Sequence, residues 1–145
     1  MKKKNWLLAV VFLGTVLRCL FLEDRGIQYD DAFSILLAKE DLPSIIRGTA
    51  ADTMPPLYYF LLHFWMLVST KIWWLRFLSV IFSLLGIYFL YKIVRLLLGD
   101  HAAIWAVFLA AISPIQIYHA QDVRMYALLQ FAQLGYAYCF LRFRT

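Results

Sequence analysis

Asp30 and Asp31 stand together just beyond the first long apolar run, and a second polar cluster, His119-Ala120-Gln121-Asp122-Val123-Arg124-Met125-Tyr126, interrupts apolar sequence much further on. An ionisable side chain in lipid costs roughly 2.5–3.5 kcal/mol on insertion scales, so such groups pair, line a cavity or bind something. An acidic pair at a helix start satisfies free backbone N–H groups and the positive end of the helix dipole. The same carboxylate at a dry, apolar boundary is also suited to take a proton from an acceptor hydroxyl as a general base. Arg124 offers a planar fork of donors that fits phosphate, or an ion pair with Asp122. Asp52, followed by the Pro55-Pro56 pair, reads as a turn residue, a partner for Asp30 or Asp31, or an oxygen ligand for a divalent cation. Asp122, Tyr126, Gln130 and Gln133 recur at helical spacing, a polar stripe that faces protein or water and not lipid.

The elements that must hold these groups are membrane helices. With 63% hydrophobic residues, 18% aromatic residues and a mean hydropathy of +0.71, the chain carries more apolar surface than a soluble domain of its length hides. The expected fold is all-α, a polytopic membrane helical bundle. Four stretches, 5–22, 73–96, 101–119 and 125–142, are long enough to cross a core about 30 Å thick at about 1.5 Å per residue. The stretch 57–70 is apolar but short, begins after the double proline and contains His63, which suits an interfacial or re-entrant helix. In the loop 23–72, Ala32, Phe33, Ile35, Leu36 and Leu37 beside Lys39, Glu40 and Asp41 predict a surface-lying helix.

The net charge of +5 gathers at the ends of these runs: Lys2, Lys3 and Lys4 first, then Lys92 and Arg95, then Arg142 and Arg144. Placing those clusters inside makes the amino terminus cytoplasmic and puts both polar clusters on the outer face. Such a distribution is a topology signal and not a nucleic-acid surface. Arg18, about one turn from the outer end of its span, is expected to snorkel to the interface, and Trp73 and Trp74 to form an aromatic belt. Cys19 and Cys139 read as small buried thiols, not a disulfide. The first run is long and lacks a small-residue cleavage pattern, so it reads as a span and not a signal peptide. No Gly-rich phosphate loop, zinc spacing or nucleophile motif is present.

Taken in order, Tyr29-Asp30-Asp31-Ala32-Phe33-Ser34, Asp52-Thr53-Met54-Pro55-Pro56-Leu57-Tyr58-Tyr59, Leu75-Arg76-Phe77-Leu78-Ser79, Ser113-Pro114 and Gln121-Asp122-Val123-Arg124-Met125-Tyr126 carry a resemblance. The chain resembles the amino-terminal part of GT-C fold glycosyltransferases that use lipid-linked sugars, related to protein O-mannosyltransferases and aminoarabinose transferases. The likeness lies in the order and spacing of the motifs and covers nearly the whole chain. It implies transfer of a sugar from a polyprenyl-phosphate carrier to an extracytoplasmic acceptor, in a membrane expected to be a prokaryotic plasma membrane. By resemblance Asp30 is the catalytic carboxylate with Asp31 its neighbour, Arg124 meets the phosphate, and Asp52, Gln121, Asp122 and Tyr126 fall on substrate-binding positions.

Three positions depart from the family pattern: Asp31 where Glu is usual, Met54 where His or Asn precedes the double proline, and Asp122 where Glu is usual. The resemblance fixes no cofactor and leaves a divalent cation open. Its members are much longer, so it implies a partial module, either truncated or one part of a split enzyme completed by a second polypeptide. Two other readings stand beside it: a non-catalytic membrane subunit that binds a lipid carrier or partner, and a transporter fragment. Acids outside the bilayer, not at its midplane, weigh against the transporter.

Overall fold

Apolar runs and their breakers decide the helix boundaries in the computed structural model, which describes residues 3–144. Lys2 lies outside the described residues, as do the side chains of Lys3 and Lys4. Among the described residues there is no strand and there are seven helices: α1 Lys3–Cys19, α2 Tyr29–Lys39, α3 Leu42–Ala51, α4 Leu57–Met66, α5 Ile72–Ile112, α6 Pro114–Ala120 and α7 Tyr126–Arg144. The expected surface helix after Asp30 is α2, which carries Asp30 and Asp31 in its first turn. Asp41 caps α3 by accepting the Ser44 N–H at 3.0 Å, and Pro43 occupies its first turn, where no N–H is needed. The double proline starts α4, whose 10 residues reach only about 15 Å. Trp65 and Trp74 then lock the end of α4 to the start of α5, stacked at 4.3 Å with each indole N–H donating to the other's carbonyl, at 2.8 and 3.1 Å.

Among the described residues α5 is the one helix long and apolar enough to cross a membrane. It is bent back on itself at Gly99, whose φ of 84° and ψ of 178° suit only glycine. Arg95 and Asp100, 2.8 Å apart, close the reversal. Val10 of α1 consequently packs on Ile87 of the descending arm and on Val107 of the returning arm. The descending arm runs parallel to α7, with Phe82 on Phe131 and Phe89 on Tyr138 at centroid distances of 5.7 Å. The end of α1, the start of α5, α6 and the start of α7 therefore share one end of the bundle. The Gly99 reversal and the Arg142–Arg144 terminus share the other.

The stretch 101–119, expected to be one span, is divided at Ser113-Pro114 into the end of α5 and the short α6. This break explains the main correction to the sequence reading. Arg18 does not snorkel; it is fully buried. Pro114 has no N–H for the Ala110 carbonyl, and the extended backbone of Ser113 ends the helix. Arg18 supplies the missing donors, with Nη2 to Ala110 O and Nη1 to Ala111 O, both at 3.0 Å, Nη1 to Gly14 O at 3.1 Å and Nε to Ser83 Oγ at 2.9 Å. Gly14 lets α1 come this close: a Cβ there would lie 3.1 Å from the Ala111 Cβ. Cys19 and Cys139 are free thiols, as expected, but exposed and not buried, because both lie on outward faces of their helices.

Arg18→Leu leaves the Ala110 and Ala111 carbonyls without donors, at a cost of roughly 1–3 kcal/mol each. Thermal unfolding in detergent is expected to show that loss, with Arg18→Lys recovering less than half because one ammonium does not span four acceptors.

Candidate functional site

Three segments meet at the end of the bundle where α1 stops: the first turn of α2, the first turns of α5 and the bend between α6 and α7. Asp31 joins them. Its carboxylate is buried, with Oδ2 accepting from Arg76 Nη2 at 3.2 Å and Oδ1 accepting the backbone N–H of Val123 at 2.8 Å. Arg76, also fully buried, donates Nη1 to the Leu22 and Arg25 carbonyls, each at 2.7 Å, and Nη2 to the Gly26 carbonyl at 3.0 Å. One turn further along α5, Ser79 Oγ donates to the Arg124 carbonyl at 3.5 Å and shares a hydrogen bond of 3.2 Å with the Tyr58 hydroxyl. The backbone of Val123 and Arg124 is thus tied on one side by α2 and on the other by α5.

From that fixed backbone the Arg124 guanidinium reaches Asp30. Its Nη2 lies 3.7 Å from Asp30 Oδ2, Nη1 donates to the Tyr59 hydroxyl at 3.4 Å, and Nε is buried without a hydrogen-bond partner. The two partners differ in access: the Arg124 side chain is 7% exposed and that of Asp30 53%. An exposed carboxylate at this distance contributes little stability, which leaves it free to exchange partners. Tyr59 is buried between Phe33 and Tyr58, edge-on at 6.5 and 5.9 Å. Burial pushes its phenol above the ordinary tyrosine value; the charges of Asp52 and Asp30 add to this, and Arg124 and Ser34 oppose it. Burial works against the charge of Arg124, but Tyr59, Asp30 and a hydrogen bond with Tyr126 outweigh it and raise its pKa.

The structure therefore gathers Asp30, Tyr59 and Tyr126 around Arg124, with Asp52, the exposed C-cap of α3, within electrostatic reach of Tyr59. Gln121 and Asp122 are committed elsewhere. The Gln121 amide caps the end of α1, with Nε2 donating to Leu20 O at 2.8 Å, Arg18 O at 3.2 Å and Leu17 O at 3.4 Å. Asp122 pairs with Arg25 at 2.9 Å and with His119 Nδ1 at 3.2 Å, not with Arg124. Arg25 is itself fixed, lying 3.9 Å above the Tyr118 ring centroid and donating to the Tyr118 carbonyl at 3.2 Å. The polar stripe begins only at Tyr126, where α7 starts, because Asp122 sits in the preceding bend.

Sequence reasoning gave no site role to four contributors: Arg25, which it passed over, and Tyr59, Arg76 and His119, which it met only within longer motifs. For Arg76 a signal was available, since an arginine inside an apolar run needs a buried acid and the Asp30-Asp31 pair offers a spare one. Among the described residues no three His, Cys, Asp or Glu side chains cluster as a metal site. A divalent cation at Asp30 would draw its remaining ligands from a bound phosphate and water.

Residues 53–145 match the family described as dolichyl-phosphate-mannose-protein mannosyltransferase. The matched segment carries Tyr59, Arg76, Arg124 and Tyr126 and begins after Asp30 and Asp31. No curated protein and no solved structure matches the chain.

Burial raises the Asp122 carboxyl above its ordinary value despite the lowering influence of Arg25 and His119. A raised acid binds its proton more tightly in the folded state than in the unfolded state. Its contribution to stability therefore falls as pH climbs from the ordinary Asp value, about 3.9, through the raised folded value, and is level above it. The stability of the native chain minus that of Asp122→Asn, from thermal unfolding across this window, is expected to decrease with rising pH.

Proposed function

Because the chain belongs to the dolichyl-phosphate-mannose-protein mannosyltransferase family of integral membrane proteins, we propose that it is a membrane glycosyltransferase module moving a sugar from a polyprenyl-phosphate donor to an extracytoplasmic hydroxyl. The observation that carries this reading is the Asp30–Arg124 contact. Arg124 is a half-satisfied cation with a fixed backbone, suited to hold the donor phosphate and to stabilise the charge that develops on it as the sugar departs. A phosphate at Arg124 competes with Asp30 for the same Nη2 and releases the carboxylate to take the acceptor's proton. The sugar–phosphate oxygen bond breaks as the acceptor oxygen bonds to the sugar; the proton passes to Asp30 and the polyprenyl phosphate leaves. Tyr59, kept as a neutral phenol by burial, stays able to donate a hydrogen bond on the phosphate side.

The same reading orients the bundle. Taking α1, the two arms of α5 and α7 as four crossings, Arg95, Arg142 and Arg144 stand at the end opposite Asp30 and Arg124. Basic residues favour the cytoplasmic side, so the site faces outward and the amino terminus inward.

Transfer of labelled sugar from a polyprenyl-phosphate donor is to be measured with membranes carrying the chain. Asp30→Asn is expected to lower kcat by about 10²–10⁴, the usual contribution of a positioned base. Arg124→Ala is expected to lower transfer by about 10²–10³ and to weaken binding of polyprenyl phosphate. Transfer that survives both substitutions unchanged overturns the assignment.

A further inference from the structure

We propose that Arg76 is a positioning residue that acts through Asp31 to set the separation between Asp30 and Arg124. What those two groups do rests on the reading above; how they are held rests on geometry alone. Asp31 directly follows Asp30, and Val123 directly precedes Arg124. The 2.8 Å hydrogen bond from Val123 N–H to Asp31 Oδ1 therefore ties the two segments together at the residues adjoining both functional groups. A slip in that one bond displaces both. A buried carboxylate keeps its charge only beside a counter-charge, and Arg76 Nη2 on Oδ2 is that counter-charge.

Arg76 is itself held at both terminal nitrogens, while its Nε is buried without a hydrogen-bond partner. Three of its hydrogen bonds go to the carbonyls of Leu22, Arg25 and Gly26, so its fork stitches the turn leaving α1 to the first turns of α5. Just before it, Trp74 is locked to Trp65. The line of constraint runs from the α4–α5 junction through Arg76 to Asp31 and on to Val123. The adjacent acids divide their labour by access: the Asp30 side chain is 53% exposed, that of Asp31 2%. With both oxygens engaged, Asp31 has nothing left for an acceptor. A buried ion pair seldom adds net stability over apolar residues of the same volume, and its best-attested use is to select one arrangement among several.

The test reads the arrangement separately from activity. Cys19 and Cys139 are replaced by Ala, spin labels are attached at Tyr29→Cys and Leu129→Cys, both exposed sites at the starts of α2 and α7, and pulsed EPR measures their separation. In the otherwise native chain the distance distribution is expected to be narrow. Arg76→Met is expected to broaden it, with Arg76→Lys and Asp31→Asn, which keep the side-chain bulk, broadening it less. Arg18→Leu, a destabilising change at the α1–α5 packing that removes no hydrogen bond of Asp31, Arg76 or Val123, is expected to leave it narrow. In the transfer assay Arg76→Lys is expected to lower kcat about a hundredfold, the scale of an ångström of misplacement, with KM for the donor nearly unchanged. A distribution as narrow in Arg76→Lys and Asp31→Asn as in the native chain overturns the proposal. A broadened distribution in a chain whose native form transfers no sugar leaves the positioning standing and removes the transferase reading.

Discussion

The carboxylate of Asp31 accepts from two directions at once, from a guanidinium and from a backbone N–H, and the arrangement of one whole end of the bundle follows from it. Its partners come from segments far apart in sequence, Arg76 at the start of α5 and Val123 in the bend before α7. Because all three groups are buried, removing any one leaves a polar atom without a partner in a place water does not reach. The bend that launches Arg124 and the turn that launches Asp30 are thus set relative to each other by a single well-shielded contact. The functional pair itself is longer and more open, and contributes little to holding the fold.

A second theme is the satisfaction of carbonyls where helices end. In an apolar environment every broken helical turn exposes acceptors that must find donors within the protein. Arg18 serves the break made by Pro114, Arg76 serves the turn after α1, and Gln121 serves the last carbonyls of α1 itself. Three polar side chains in apolar surroundings are accounted for in this way, without reference to substrate. Arg124 differs from these in facing an exposed carboxylate, Asp30, at 3.7 Å, a contact open enough to be exchanged for a ligand.

The division between adjacent acids has a chemical consequence. Each of the two neighbouring carboxylates has its own arginine, Arg124 for Asp30 and Arg76 for Asp31. In the proposed reaction the exposed one gives up its partner to a phosphate, while the buried one keeps its own. Tyr59 and Tyr126 complete the surroundings of Arg124 with hydroxyl groups in place of further charges, which keeps the guanidinium available to an anion.

The helical class, the surface helix after Asp30, the shortness of α4 and the grouping of Asp30 with Arg124 were legible in the sequence, because each depends on local composition, prolines and the distribution of charge along the chain. Charge placement alone put both polar clusters at the same end, and the structure brings Asp30 and Arg124 into contact there. The roles of Arg18, Gln121 and Asp122 were not legible, and that of Arg76 was signalled only by its place inside an apolar run. Arg18 near the end of an apolar run looks like a residue that reaches for the interface unless Pro114, distant in sequence, is known to lie beside it. Asp122 two residues from Arg124 looks like its partner, until the bend turns one toward Arg25 and the other toward Asp30. Which acid meets which base depends on the directions in which side chains leave a folded backbone, and those directions are set only when α2, α5 and the α6–α7 bend pack against one another.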